Sequence, residues 1–265
     1  NNAVVSEIND VFFDLLPPVI SIDSPASGSR INLPIVTYAT HEELGEGNIT
    51  FTRTGGTQDP DSPHVVNLSG QRLKQGTRYD ETFESDLQLK DGSVYSISFG
   101  AQDMAGNIAT DVSIQNITFD SSAPQLSITS PLSPTFTNDL MVEYSTNENL
   151  SKGVIFVERT GGPNDSSSPH EVELVDGQLI KSSKISLNLS QQLNLVSNAV
   201  YRIYIEGLDV AGNEGKSDMV ESITFDNVPP EISITSPAVE SFINAPVLGL
   251  KANETLSKAT IDWLW

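Results

Sequence analysis

Apolar and polar residues alternate over short stretches of this chain, and Gly, Pro, Ser, Thr and Asn break the alternation roughly every 8–12 positions. Between Val94 and Ala101, for example, Tyr95, Ile97 and Phe99 fall on one side with Ser96 and Ser98 on the other. That is the period of a half-buried strand. The same pattern predicts strands at 19–22, 35–40, 48–53, 65–68, 94–101 and 108–119, with 77–87 extended and a polar turn at 41–45. A second series follows at 125–128, 141–146, 154–159, 171–175, 184–189, 200–207 and 219–225, and a third opens at 231–234. No stretch carries a helical period. About seven short strands per series predict an all-β fold of Greek-key sandwiches.

The two full series are copies of one unit. Asp103-Met104-Ala105-Gly106-Asn107 returns as Asp209-Val210-Ala211-Gly212-Asn213, a period of 106 residues from 103 to 209. Pro18, Pro124 and Pro230 keep that interval, as do Asp14, Asp120 and Asp226. Arg53 recurs as Arg159, and Ser62-Pro63-His64 as Ser168-Pro169-His170. A period of this size suits a self-contained sandwich and is far longer than solenoid repeats of roughly 20–50 residues. The expected division is 1–14 as the last strand of a preceding unit, 15–120 and 121–226 as whole units, and 227–265 as the first strands of another. The two end pieces lack the middle strands, so they cannot complete one unit between them; the chain reads as a window on a longer array.

Composition narrows the function. The chain has 14 basic and 35 acidic residues, a net charge of −21. Such a field repels phosphate backbones and anionic lipid, which sets nucleic-acid binding and polybasic membrane docking aside. It offers carboxylates to divalent cations, and equally describes a plain salt-tolerant surface. There is no cysteine, so disulfides, thiolate metal sites and cysteine nucleophiles are excluded. No apolar run is long enough to span a bilayer as a helix. No zinc-type histidine spacing or nucleophile elbow is present, and Glu42-Glu43 are adjacent in a turn rather than set apart as glycosidase carboxylates are. The expectation is a non-catalytic chain.

The Pro-Pro or Ala-Pro openings, the Ile-Ser-Ile-Thr-Ser-Pro first strand (complete at 232–237, with Asp23 and Leu126 as the single departures in the other two copies) and the Asp-x-Ala-Gly-Asn turn before the last strand resemble bacterial Ig-like repeats of large secreted adhesins. The resemblance covers nearly the whole chain. It implies tandem immunoglobulin-like sandwiches, a cell-surface or secreted location, and in some members calcium at the junctions between units.

Topology leads to the same junctions. In such a sandwich the loops after the second and sixth strands lie at the pole where the chain comes in, and the last strand leaves at the other pole. The second unit therefore presents Glu148, Asp209 and Asn213 towards Asp120, which ends the first. Asp14, Glu42, Asp103 and Asn107 form the equivalent set one junction earlier, and Asp226 with Glu254 supply part of a third. Carboxylates with amide and backbone oxygens are the ligands that hard Ca²⁺ takes. The competing reading is turn chemistry alone: Gly and Asn tolerate positive φ, and an Asp ahead of them forms an Asx-turn.

Arg53, His64, Arg159 and His170 are candidates for an acidic glycan or a receptor, because their motifs recur in both copies. Against this, Gly-Gly after Arg reads as a hairpin with the Arg guarding a strand edge. The sequence thus predicts a spacer or stalk braced by Ca²⁺, with adjacent repeats as its partners. A surface-filament subunit joined to other copies and a glycan- or receptor-binding adhesin module remain as alternatives.

Overall fold

The protein is described by a computed structural model covering residues 13–83, 85, 87–245 and 247–262. The first unit contains β1 (Ile20–Ser24), β2 (Arg30–Ile31), β3 (Ile35–Thr40), β4 (Leu44–Gly56), β5 (His64–Asn67), β6 (Gly76–Thr82), β7 (Ser93–Asp103) and β8 (Val112–Phe119). They form two facing sheets, β1-β3-β6 and β2-β8-β7-β4-β5. The chain crosses from one sheet to the other after β1, β2, β3, β5 and β6, and closes with the β7–β8 hairpin. This is the immunoglobulin-like Greek-key sandwich.

The second unit repeats the plan with β9 (Leu126–Ser130), β10 (Thr135–Thr137), β11 (Met141–Thr146), β12 (Leu150–Gly161), β13 (His170–Glu173), β14 (Ser182–Asn188), β15 (Ala199–Asp209), β16 (Glu214–Lys216) and β17 (Val220–Phe225). Its sheets are β14-β11-β9 and β10-β17-β15-β12-β13, with β16 also paired to β15. Two more strands, β18 (Ile232–Ser236) and β19 (Gly249–Ala252), pair antiparallel beyond it.

Alternation along the strands builds the cores. Every second residue of β7 is buried, so Tyr95, Ile97 and Phe99 face the opposing sheet while Ser96 and Ser98 face outward. Tyr38, Phe51, Phe83, Tyr95 and Phe99 fill the first core, and Tyr144, Ile155, Val157, Tyr201, Ile203 and Ile223 the second. Fully burying each such side chain contributes about 1.5–3 kcal/mol. Tyr38 meets Phe99 edge to face at 5.2 Å between centroids, the arrangement favoured by aromatic quadrupoles.

Several local expectations differ from the structure. The turn predicted at 41–45 is shorter, because β4 begins at Leu44, opposite Asp103 of β7. Arg53-Thr54-Gly55-Gly56 is the end of β4, paired with β7 but beyond the residues Asn48 to Phe51 that pair with antiparallel β5, so Gly-Gly ends the strand as the sequence suggests. The stretch 77–87 is strand only to Thr82, after which Leu87 N closes a turn onto Phe83 O. The last strand, expected over 108–119, is interrupted: Ile108 bridges Gln102 alone and regular pairing starts at Val112. Short 3₁₀ turns occupy Gly70–Leu73 and Asp176–Gln178. The two-residue β2 and three-residue β10, which move the first strand's continuation onto the other sheet in parallel with β8 and β17, are too short to carry a period. Most of the segment 1–14, expected as the last strand of a preceding unit, lies outside the described residues.

Candidate metal centre

Each Asp-x-Ala-Gly-Asn turn follows the long sixth-position strand of its unit, β7 or β15. Asp103 is buried, and its Oδ1 accepts hydrogen bonds from Ala105 N and Asn107 N, both at 2.8 Å. Asn107 Nδ2 donates to the other carboxylate oxygen at 2.7 Å. Gly106 turns the chain at φ +93°, in the region where a Cβ is disfavoured. The second copy matches. Asp209 Oδ1 accepts from Gly212 N at 2.7 Å and Asn213 N at 2.9 Å, and Oδ2 from Asn213 Nδ2 at 2.8 Å. Burial would raise the Asp103 pKa, but the hydrogen bonds from Asn107, Ala105 and Gly106 outweigh it and hold the carboxyl below its usual range. The Asx-turn expected from sequence is present at Asp103, and in both units the turn's own N–H groups fix the Asp carboxyl at the N-terminal pole.

The neighbouring turn supplies the second carboxylate. Thr40 Oγ1 donates to Glu42 O at 2.6 Å, and Thr146 Oγ1 to Glu148 O at 2.7 Å, so the same threonine anchor shapes both turns. The third carboxylate comes from the preceding linker. Asp14, Glu42 and Asp103 bring one oxygen each within 4.8 Å of one another, and Asp120, Glu148 and Asp209 do the same. Asp14 is exposed and Asp120 half-buried, and in each set a half-buried Glu and a buried turn Asp complete the group.

The crowding has an electrostatic cost at the second junction. Desolvation, followed by the charges of Asp120 and Asp209, pushes the Glu148 pKa up. Three carboxylates that repel one another there suit a hard divalent cation, which binds roughly six to eight oxygens at about 2.3–2.6 Å.

Asn107 and Asn213 do something other than present an amide nitrogen to solvent. Asn213 Nδ2 also donates to Asp120 O at 2.8 Å, and Asn107 Nδ2 to Asp14 O at 3.2 Å. Each asparagine straps the incoming linker to its own turn. As amide nitrogens turned to oxygen atoms cannot ligate a cation, only the Oδ1 of each remains available for that role.

The third expected group is not assembled as the first two are. Asp226 Oδ1 accepts from Ser197 Oγ at 2.7 Å and Val228 N at 3.1 Å. Those two bonds, that from Ser197 being the stronger influence, lower its pKa. Glu254 is exposed, and no triad containing either residue occurs among the described residues.

The Arg and His motifs turn inward. Arg53 Nε donates to Thr57 O at 2.6 Å and NH2 to Gly56 O at 2.7 Å; Arg159 makes the equivalent bonds to Pro163 O and Gly162 O. His64 Nε2 lies 2.6 Å from Asp59 Oδ2, which also accepts from Tyr95 Oη at 2.5 Å. The copy reads His170 to Asp165 at 2.7 Å and Tyr201 to Asp165 at 2.8 Å. These are buried His–Asp–Tyr networks that tie the loop after β4 or β12 to β7 or β15. Burial would raise the Asp59 and Asp165 pKa values, but the bonds from Tyr, His and a backbone N–H hold both below the ordinary carboxylate range. Asp59 and Asp165 escaped the sequence reading, although Asp-x-x-Ser-Pro-His recurs at the period of 106, from 59 to 165.

The sheet orders and crossovers decide the fold class. The chain is built of immunoglobulin-like β-sandwiches in tandem. No protein-family model matches it, and no curated protein does. Among solved structures it is similar to the FN1-FN3 domains of chicken CNTN1, at 16% identity and TM-score 0.39, covering 79% of this chain and 66% of that one. It is similar to fibronectin(III)-like modules of Clostridium thermocellum CbhA, at 14% identity and TM-score 0.38, covering 78% and 94% of the two chains. It is also similar to a tetra-tandem repeat in the extending region of a large adhesion protein, at 17% identity and TM-score 0.30, covering 84% and 52%. Among the described residues no helix is long and apolar enough to cross a membrane.

Proposed function

We propose that this chain is a non-catalytic spacer segment of a long extracellular repeat protein, stiffened at its junctions by Ca²⁺. One observation carries the reading. The linker Asp ending one unit meets a Glu and a buried Asp of the next, and this happens twice at one sequence interval. Turn chemistry accounts for Asp103 and Asp209 alone. It gives no reason for the linker and B–C-type turn carboxylates to converge on them.

Asp14, Glu42 and Asp103 would hold one ion, and Asp120, Glu148 and Asp209 another, with backbone oxygens and water completing each shell. The ion would supply charge neutralisation across the joint. What the chain itself supplies is a short linker, an asparagine strap and preset carboxylates, so little freedom remains to be lost on binding. A short linker bridged from both sides resists the bending that a bare one allows.

Calorimetric titration of Ca²⁺ into the metal-free chain tests this, together with melting curves and small-angle scattering with and without EDTA. Two bound ions, a melting temperature lowered by EDTA and a broader scattering profile are expected. A chain that takes up no Ca²⁺ and melts indifferently to EDTA would remove the ion from the account.

A further inference from the structure

The second carboxylate triad is flanked by two side chains, Arg30 and Asp91, that the next copy of the repeat replaces. Arg30, on β2 at the C-terminal pole of the first unit, places Nη1 3.1 Å from Asp120 Oδ2. The Asp120 side chain is 13% exposed, so the pair is largely shielded on the carboxylate side. The position equivalent to Arg30 in the second unit is Phe136, 81% exposed and one strand-residue from the ladder that receives Asp226 N.

A second difference accompanies the first. Asp91 accepts hydrogen bonds from Ser121 N at 2.6 Å and Ser122 Oγ at 2.9 Å, just beyond Asp120. Its carboxyl, held ionised chiefly by the Ser121 N–H, adds a further negative charge that is felt at Glu148. The counterpart of Asp91 is Ser197, which binds Asp226 as a neutral donor. Where the joint carries the extra carboxylate it also carries the guanidinium; where it carries serine it carries phenylalanine.

We propose that Arg30 is a tethered counter-cation of the second junction, one that sets its affinity for a divalent ion. The proposal rests on the calcium reading above for its affinity arm and is independent of it for the other. Arg30 holds one oxygen of the linker carboxylate in the absence of an ion. It thereby keeps Asp120 beside Glu148 and Asp209 in the ion-free chain. An arriving cation has to share or displace that oxygen, so Arg30 lowers the affinity of the second junction for the ion and makes its shape depend less on the ion. Arginine suits the task because its charge does not titrate in the accessible range and its planar fork meets a carboxylate with defined geometry.

The test uses the whole chain with Arg30→Gln and, separately, Arg30→Lys. Since the chain has no cysteine, Ser113→Cys and Ser183→Cys give a unique spin-label pair across the junction. In EDTA, Arg30→Gln broadens the label distance distribution and Arg30→Lys restores part of its width. In calcium titrations on an Asp14→Asn background, which silences the first site, Arg30→Gln tightens the remaining site by roughly two- to five-fold, the scale of a solvent-accessible ion pair. An unchanged distribution in EDTA overturns the tethering role even if calcium binds. Weaker calcium binding in Arg30→Gln overturns the competition. Absence of any calcium uptake, with broadening in EDTA, sinks the calcium reading while Arg30 keeps its place at the joint.

Discussion

Asn213 Nδ2 sits 2.8 Å from Asp120 O and 2.8 Å from Asp209 Oδ2, so one amide group joins the end of the first unit to the buried turn of the second. Asn107 makes the same pair of contacts to Asp14 and Asp103. Replacing Asn213 with Ala removes both bonds and leaves the buried Asp209 with backbone donors only. The expected loss in the second unit is about 1–3 kcal/mol, the usual cost of stripping a partner from a buried charge. Denaturant unfolding measures it, and scattering should show a looser joint even when calcium is present. An Asn213→Ala chain with unaltered stability and profile would mean that the strap holds nothing.

Glu148 gives a prediction whose sign reverses with calcium. Its pKa is raised by desolvation and by the charges of Asp120 and Asp209. For a carboxyl raised in the folded state, ionisation costs stability as pH climbs above the unfolded value, so at neutral pH the charge is a burden without a cation. Glu148→Gln is therefore expected to raise the melting temperature in EDTA and to lower it in excess Ca²⁺. A shift of the same sign in both conditions contradicts the assignment.

Asp59 and Asp165 bear on acid stability. Both are buried and both titrate below the ordinary carboxylate range in the folded chain. A lowered carboxyl contributes stability that is complete above the unfolded value of about 3.9 and is lost as pH falls through the folded value. Asp59→Asn should cost about 2–3 kcal/mol at neutral pH, since hydrogen bonds to a charged acceptor are replaced by neutral ones. The difference from the parent chain should shrink below pH 4. Urea midpoints at pH 7 and pH 3 make the comparison.

Gly56 and Gly162 fix the Arg-Thr-Gly-Gly elements. Gly56 has φ +68°, and a Cβ there would lie 2.2 Å from Gly92 O; Gly162 has φ +72°, with the corresponding distance 2.3 Å to Asn198 O. Gly56→Ala should destabilise the first unit by about 1–3 kcal/mol from the backbone conformation alone, before the clash is added. Gly55→Ala, whose nearest contact is Val94 Cβ at 3.8 Å, is the matched control and should be much milder. Equal effects at the two positions would show that backbone conformation is not what selects glycine.

Much of this protein was legible in its residues. Alternation at Val94 to Ala101 and its copies set the strands, because a two-residue period needs only the strand's own side chains to be seen. The interval from Asp103 to Asp209 set the repeat, and the strand order of the sandwich then placed Glu148 and Asp209 at the pole facing Asp120. Three things were decided only by the folded chain. Arg53 and Arg159 carry motif-like repetition on the page, yet their donors close on carbonyls three and four residues away, a geometry that sequence spacing does not reveal. Asp59 became the centre of a buried network only when β7 brought Tyr95 to it across 36 residues. Arg30 met Asp120 across 90 residues, through a two-residue strand too short to announce itself. Periodic burial is a local property of the chain and can be read locally. Which charge ends beside which is a property of loop closure and sheet order, and only the tertiary structure holds it.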